Sequence, residues 1–110
     1  VLQVTMKHPD TIDMPTDRQM ILFRIVQEAL QNAIKHGQAS NISIEVTQAE
    51  DQLRVSVDDD GKGFDIDNSS LHGVGINNIR HRAKLLGGIA NWNSTRQGTS
   101  VSIQLPTYGN

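Results

Sequence analysis

The 110-residue sequence contains no cysteine, and this absence excludes both a disulfide framework and a thiolate metal site. It also contains no apolar run close to the roughly 20 residues that a membrane-spanning helix needs, and no signal peptide opens it. A basic surplus is absent too: the formal net charge is −2, so nucleic acid is not an expected partner. We therefore expect a soluble molecule suited to a reducing compartment. Because the chain starts abruptly in a strand-like segment, Leu2 to Met6, we also expect it to be a piece of a longer protein.

Residues 1–110 fit one domain, and the 36% of apolar residues suffices for a two-layer core. The most distinct element is an amphipathic helix. Thr16 and Gln19 have the spacing of a capping box, which predicts Thr16 as the N-cap, and Gly37 is expected to end the helix. Apolar residues recur along one face of this helix, at Ile21, Leu22, Ile25, Val26, Ala29, Leu30, Ala33 and Ile34.

Alternation of apolar and polar residues predicts five strands in the rest of the chain. They cover residues 2–7, 42–46, 53–57, 89–94 and 99–105. Turns are expected at Glu50–Gln52 and Gln97–Gly98, so the strands form two hairpins. A second helix is predicted over Ile76–Leu86, with Gly87 and Gly88 ending it. This order predicts an α+β fold, a two-layer α/β sandwich with a mixed sheet of about five strands and helices on one face.

An acidic triplet, Asp58 to Asp60, ends the third predicted strand. Side chains alternate across a strand, so Asp59 shares the buried side of Val57, whereas Asp58 and Asp60 face water. A carboxylate on the buried side needs a dedicated donor, and the exocyclic amine of a purine would be one. Gly61 would then let a flat ligand come close to the backbone. A solvated acidic turn stays open as an alternative, as does a magnesium or calcium site, although the spacing of a calcium loop is lacking.

Steps of three and four residues place Glu28, Asn32 and Lys35 on one stripe of the first helix, beside its apolar face. Such groups can border a cleft. Asparagine offers a neutral oxygen to a hard cation, lysine offers a charge to phosphate, and glutamate can act as a base. Taken alone, the stripe is better explained as ordinary decoration of a helix surface.

Two glycine-bearing segments lead toward the same cleft. Gly73-Val74-Gly75-Ile76 enters the second helix, where free N–H groups and the positive end of the helix dipole favour phosphate. A flexible loop is the alternative. Thr99 follows Gly98 and has the parity of the core-facing residues of its strand, so its hydroxyl points toward the side of Asp59. A plain β-branched residue after a turn is the alternative.

Three further residues stand out in the second half of the chain. Trp92 is the only tryptophan, and its place in a strand favours a packing role over substrate stacking. Arg80 and Arg82 lie on opposite sides of the second helix and are expected to be solvated charges; contact of one of them with a partner domain or phosphate is the alternative.

In this order, the segments resemble the boxes of the GHKL superfamily of ATP-binding domains, whose fold is of the Bergerat type. Phe23–His36 is similar to the N box, Asp59–Phe64 to the G1 box and Gly73–Ile76 to the G2 box. Asn78–Gly88 resembles the helix after G2, and Gly98–Pro106 the closing strand. The amino-acid sequence of these segments is most similar to the histidine kinase catalytic (HATPase) domain of the subfamily that includes nitrate and membrane-fluidity sensors.

The resemblance implies a role for each matching residue. Asp59 would receive the adenine amine of ATP, with Thr99 assisting through water. Asn32 would hold Mg²⁺ against the phosphates, and Glu28 would orient or activate the attacking group. The other positions, which the resemblance assigns to phosphate contacts or to the shape of the pocket and its lid, are Lys35, His36, Gly61, Gly63, Gly73 and Gly75.

The resemblance also implies partners. A phosphoacceptor histidine in this family is followed by an acidic residue on a dimerisation helix, and none of the four histidines here has that neighbour. We therefore expect the acceptor on a separate dimerisation domain, a response regulator downstream, a monomeric isolated domain and a homodimeric parent. The domain would be cytoplasmic, and many such parents are bound to the inner membrane. An anti-sigma-factor-type serine kinase and a nucleotide-binding module without transfer activity are the alternatives.

Overall fold

The computed structural model describes residues 2–35, 38–62 and 75–108. Within these ranges the chain forms two helices and one five-stranded sheet with the strand order β1-β2-β3-β5-β4. β1 pairs with β2 in parallel and the other neighbours are antiparallel, which confirms the predicted α+β fold with a mixed sheet. The elements are β1 (Gln3–Lys7), α1 (Thr16–Lys35), β2 (Asn41–Ala49), β3 (Gln52–Asp59), α2 (Ile76–Leu85), β4 (Ile89–Thr95) and β5 (Gly98–Pro106).

The core lies between the helices and one face of the sheet. Because β2, β3 and β5 alternate, every second side chain is buried under α1 and α2, while the residues between them are mostly exposed on the open face. Each large apolar side chain in such a core stabilises the fold by about 1.5–3 kcal/mol. The fully buried apolar residues include Ile25, Ile42, Leu53, Val55, Ile79, Leu86, Ile103 and Leu105.

The start of α1 differs by one residue from the predicted capping box. The first helical hydrogen bond runs from the Gln19 N–H to the Pro15 carbonyl, at 3.0 Å, so Thr16 is the first helical residue and Pro15 occupies the cap position. The Gln19 side-chain amide donates to the Met14 carbonyl at 2.6 Å. A proline before the helix already supplies the carbonyl that the first turn needs. Gly37, the predicted stop, lies outside the described residues.

The first hairpin turn is shorter than predicted, and the second is displaced by one residue, to Arg96–Gln97. Gln52 pairs with Ala49 and already belongs to β3, so the first turn is Glu50–Asp51, with Glu50 at φ +59°. Gly98 pairs with Thr95 and begins β5. Backbone pairing extends both hairpins past the last apolar residue, which is the only boundary that a hydrophobic pattern can indicate.

The end of α2 confirms the predicted glycine stop. The Gly88 N–H donates to the Ala83 carbonyl at 2.8 Å, and the Gly87 N–H donates to Lys84 at 2.9 Å, which is the pairing of a Schellman motif. Gly87 has φ +73°, a conformation that other residues rarely adopt. Neither described helix is long and apolar enough to cross a membrane.

The Arg18 side chain connects three chain segments at one edge of the core. The Arg18 guanidinium donates to the carbonyls of Leu86 at 2.7 Å, Pro106 at 2.8 Å and Thr107 at 3.2 Å. It therefore joins the start of α1 to the end of α2 and to the end of β5. This contact places α1 and α2 side by side in opposite directions. No sequence motif points to it, because its partners are backbone carbonyls 68 to 89 residues away.

Candidate functional site

A small hollow opens between α1 and the helix-covered side of the sheet. Its floor is apolar, and polar groups border it from three different elements. The residues that line it are Ala29, Asn32, Ala33, Val57, Asp59, Trp92, Thr99 and Val101. Thus α1, β3, β4 and β5 all contribute, and the hollow brings together Asn32, Asp59 and Thr99, three of the residues that the sequence predicted to meet.

Asp59 ends β3 with its carboxylate on the helix side of the sheet. Its Oδ1 accepts the backbone N–H groups of Gly61 at 2.9 Å and Thr99 at 3.3 Å. Within residues 2–35, 38–62 and 75–108, Oδ2 accepts no hydrogen bond. Asp59 is half-buried whereas Asp58 and Asp60 are exposed, which confirms the predicted parity. The site therefore holds one carboxylate oxygen in place and leaves the other available to a donor.

Asn32 is the buried polar residue of α1, with 6% of its surface exposed. Its side-chain amide makes no hydrogen bond to any residue that the structure describes. Gly75, just before α2, lies against this amide: a Cβ added there would be 2.6 Å from Oδ1 and 2.7 Å from Nδ2 of Asn32. Gly75 therefore permits the start of α2 to approach Asn32, a close contact that the glycine motif did not indicate.

Thr99 contributes to the hollow in two ways. Its backbone N–H holds Asp59, and its hydroxyl lies 2.8 Å from the Ser94 hydroxyl on β4. Only 7% of Thr99 is exposed. The predicted side-chain direction toward the core is confirmed, and the water-mediated contact to a ligand stays a prediction.

Trp92 forms a wall of the hollow and is itself covered by Arg80. The guanidinium carbon of Arg80 lies 5.0 Å from the centroid of the indole, within cation–π distance. Trp92 is half-buried, as predicted for a packing residue, but Arg80 is not merely solvated. Parity along β4 could have indicated that Trp92 faces the helices; the partner on α2 follows only from the packing of α2 on β4.

The remaining predicted residues of α1 lie away from this hollow. Glu28 is half-buried and borders a neighbouring groove, where the Asn78 amide approaches its Oε1 at 3.5 Å. Lys35 is exposed at the last position of α1. Gly61 is buried in the turn after Asp59. Three predicted residues, His36, Gly63 and Gly73, lie outside the described part of the chain.

Asp60 has a structural environment that the sequence did not indicate. Its Oδ1 accepts the N–H groups of Ser40 at 2.9 Å and Asn41 at 2.8 Å, and its Oδ2 accepts the Asn41 side-chain amide at 2.8 Å. The amide of Asn41, followed by the two backbone donors, lowers the pKa of Asp60 below its usual value. Over the described residues, no three His, Cys, Asp or Glu side chains converge as a metal site would require.

The chain thus forms a two-layer α/β sandwich. Its candidate ligand site lies between the first helix and the sheet, where one oxygen of the Asp59 carboxylate has no described hydrogen-bond donor. The family model of histidine kinase-, DNA gyrase B- and HSP90-like ATPases matches residues 17–109. The chain therefore belongs to this ATPase family, which confirms the predicted resemblance and the assignment of ATP as its nucleotide.

Curated relatives narrow the resemblance to sensor kinases. The chain is 39% identical over 88 residues to the sensor histidine kinase LiaS of Bacillus subtilis, covering 79% of this chain and 24% of the relative. It is 34% identical over 97 residues to the histidine-protein kinase/phosphatase UhpB of Salmonella typhimurium, covering 88% and 19%. It is 32% identical over 95 residues to the sensor protein VraS of Staphylococcus epidermidis, covering 86% and 27%. The chain thus spans about a quarter of the length of these relatives or less. They favour a sensor kinase over an anti-sigma factor.

Solved structures share the same architecture. The histidine kinase domain of the blue-light activated histidine kinase EL346 from Erythrobacter litoralis superposes with a TM-score of 0.84 at 27% identity, covering 96% of this chain and 52% of that one. The ATP binding domain of PrrB from Mycobacterium tuberculosis superposes with a TM-score of 0.72 at 22% identity, covering 98% and 82%. The second likeness concerns the fold alone.

Proposed function

We propose that residues 1–110 form a single catalytic domain of a two-component sensor histidine kinase. The domain presents Mg-ATP so that the γ-phosphoryl group passes to a histidine on a separate dimerisation domain. The observation that carries this proposal is the Asp59 carboxylate, which borders the hollow: its Oδ1 is held by two backbone N–H groups, while its Oδ2 accepts no hydrogen bond from a described residue. Family membership and the sensor kinase relatives support it.

The chemistry of Asp59 selects the edge of the base that it can receive. An ionised carboxylate only accepts hydrogen bonds, so its ligand must present a donor. Adenine carries an amine at the position where guanine carries a carbonyl oxygen. The apolar floor under Asp59, which includes Val57 and Val101, suits the flat faces of a base, and Trp92 closes one side. We therefore expect the site to prefer ATP to GTP.

The residues of α1 fit the phosphate end of the nucleotide. Asn32 is a buried amide without a described partner, and its neutral oxygen suits Mg²⁺, a hard cation that prefers oxygen ligands. The bound metal would neutralise phosphate charge. Lys35, the last residue of α1, and His36, the next residue in the sequence, would contact phosphate oxygens. Gly61, Gly63, Gly73 and Gly75 would shape the pocket and its lid. Glu28 would accept the N–H of the incoming imidazole and so fix which nitrogen attacks.

The partners follow from this assignment. The acceptor histidine and the dimer interface belong to the dimerisation domain, and a response regulator takes the phosphoryl group downstream. The isolated domain would be a monomer and the parent a homodimer. A cytoplasmic domain in a parent bound to the inner membrane is part of the same proposal.

The test is a nucleotide titration that uses Trp92, the only tryptophan, as its reporter. ATP with Mg²⁺ should change the Trp92 emission saturably, and GTP should bind more weakly. Asp59→Asn should weaken ATP binding roughly 10- to 100-fold, since a hydrogen bond to a charged group contributes about 1.5–3 kcal/mol. Asp58→Asn, the exposed neighbour, should bind like the parent. Equal ATP affinity in Asp59→Asn and the parent would show that the base lies elsewhere.

A further inference from the structure

A second hollow, the inter-helix groove, lies between α1 and α2 and has a volume of about 170 Å³. Contacts fix its two ends: Arg18 donates to the Leu86 carbonyl at one end, and Asn78 approaches Glu28 at the other. The groove is therefore a fixed feature of the helix pair. It is lined by Arg24, Gln27, Glu28, Gln31 and Arg82, and it shares no lining residue with the hollow at Asp59.

The inter-helix groove carries a net positive charge. Arg18 donates to three carbonyls and Arg80 lies on Trp92, but Arg24 and Arg82 have no hydrogen bond or ion pair with any residue that the structure describes. Arg82 is half-buried, and its guanidinium has no ion pair with a residue that the structure describes. Two arginines and one glutamate leave a local charge of +1 in a chain whose net charge is −2.

The position of the groove separates it from the nucleotide. Glu28 lies one helical turn from Asn32, and Arg24 lies one turn further in the same direction, about 12 Å from Asn32 along the helix axis. The nucleotide assigned to Asp59 and Asn32 therefore lies on one side of Glu28, and the arginines lie on the other. A protein segment that brings an acceptor side chain to Glu28 would lie across the arginines.

We propose that the inter-helix groove binds an acidic side chain of the protein segment that carries the phosphoryl acceptor. The inference rests on the proposed kinase function and adds the recognition of its protein substrate. The planar forks of Arg24 and Arg82 match a carboxylate bidentately, and the amides of Gln27 and Gln31 supply further donors. Arg24 and Arg82 act as docking residues that place the segment beside Glu28.

The test uses the 110-residue chain and a capped tetraglutamate peptide, followed by NMR of the arginine Nε–Hε signals. The peptide should shift the signals of Arg24 and Arg82, and added salt should weaken its binding. The double variant Arg24→Gln/Arg82→Gln should bind it about tenfold more weakly than the parent. The double control Arg54→Gln/Arg96→Gln removes two exposed arginines outside the groove and should bind like the parent. Equal weakening in both double variants would overturn the proposal.

Two further measurements complete the test. One identifies which anion binds in the groove, and the other separates this proposal from the proposed kinase function. Inorganic phosphate that shifts the same signals at lower concentration than the peptide would assign the groove to phosphate and overturn the protein-docking proposal. ATP affinity, measured through Trp92, should differ less than about twofold between the parent and Arg24→Gln/Arg82→Gln, because the groove lies outside the nucleotide hollow. If Asp59→Asn leaves ATP affinity unchanged, the proposed function fails whatever the peptide does.

Discussion

Asp59 and Asp60 are consecutive residues with opposite environments. Asp59 is half-buried on the helix side of the sheet and borders the hollow, with Oδ1 held by two backbone N–H groups and Oδ2 without a described donor. Asp60 is exposed on the other side, and both of its oxygens accept donors from Ser40 and Asn41. One carboxylate is thus kept available for a ligand, while the other fastens the start of β2.

The difference shows how one strand end can serve binding and folding at once. Successive side chains of a strand point to opposite faces, so two adjacent acids need not compete for the same space. The Asp60 N–H also donates to the Asn41 carbonyl at 3.2 Å, which fixes the backbone just after Asp59. Rigid support of this kind limits the movement of the Asp59 carboxylate, and a fixed acceptor binds its donor with little ordering cost.

Gly98→Ala should have the largest effect, because Gly98 lies against both aspartates. A Cβ there would be 2.0 Å from the Asp59 carbonyl oxygen and 3.2 Å from the Asp60 Cα, at φ +145°. Overpacking and backbone strain together should cost about 3 kcal/mol of unfolding free energy, a loss of roughly 10 °C or more in Tm. ATP binding should weaken as well, since the Asp59 backbone must move.

Gly87→Ala is the matched control for this variant. Gly87 also has a positive φ, +73°, but an added Cβ would meet only Pro106 Cγ at an ordinary 3.6 Å and Cδ at 3.9 Å. Gly87→Ala should lower the free energy of unfolding by about 1 kcal/mol, through backbone strain alone, and leave ATP affinity unchanged. Thermal unfolding of both variants separates clash from strain; equal losses of Tm would show that the contact with Asp59 is unimportant.

Much of this arrangement could be predicted from the sequence. Parity along β3 and β5 placed Asp59 and Thr99 on the core side, and helical spacing placed Asn32 beside the apolar face. These are local regularities, in which residue spacing alone fixes direction. The same reasoning located both helices, all five strands and the mixed sheet, with errors only at the turns and at the N-cap of α1.

The contacts that no spacing encodes could not be predicted. Asp60 meets Ser40 and Asn41 across about 20 residues of sequence, and Arg80 meets Trp92 only because α2 packs on β4. Arg82 was expected to be a solvated charge, and its convergence with Arg24 follows from the antiparallel packing of α1 and α2. Each of these contacts depends on how the elements pack against one another, which residue spacing within an element does not determine.

Gly75→Ala tests the candidate nucleotide site that contains Asp59 and Asn32, without changing the contacts of Asp60. Its Cβ would be 2.6 Å from Asn32 Oδ1, so the amide must turn away from the position assigned to Mg²⁺. Overpacking of about 1–3 kcal/mol should weaken Mg-ATP binding roughly tenfold. The internal control is the same titration in EDTA, where the variant and the parent should differ much less. An undiminished difference in EDTA would mean that Asn32 acts on the nucleotide without the metal.

Asp60→Ala tests the structural role of the second carboxylate, which holds the start of β2. The variant loses the acceptor of Ser40 and Asn41, so Tm should fall by a few degrees, less than for Gly98→Ala. ATP affinity should stay within about threefold of the parent, because the Asp60 carboxylate faces away from the hollow. Asp58→Ala removes the same charge from an exposed neighbour and should change Tm less. A loss of ATP affinity as large as that of Asp59→Asn would erase the distinction between the two acids.

The smallest effect should be the pH dependence of the stability that the Asp60 carboxylate contributes. Hydrogen bonds from the Asn41 amide and from the Asn41 and Ser40 N–H groups lower its pKa below the ordinary value of 3.8. A group whose pKa is lower in the folded state stabilises the fold above its ordinary pKa and loses that contribution as pH falls through the folded-state value. The Tm difference between the parent and Asp60→Ala should therefore be full at pH 7 and shrink below about pH 3.8. Asp58→Ala, measured in parallel, corrects for the general effect of removing one negative charge. A difference that persists undiminished to pH 2 would show that the carboxylate charge of Asp60 plays no part in holding β2.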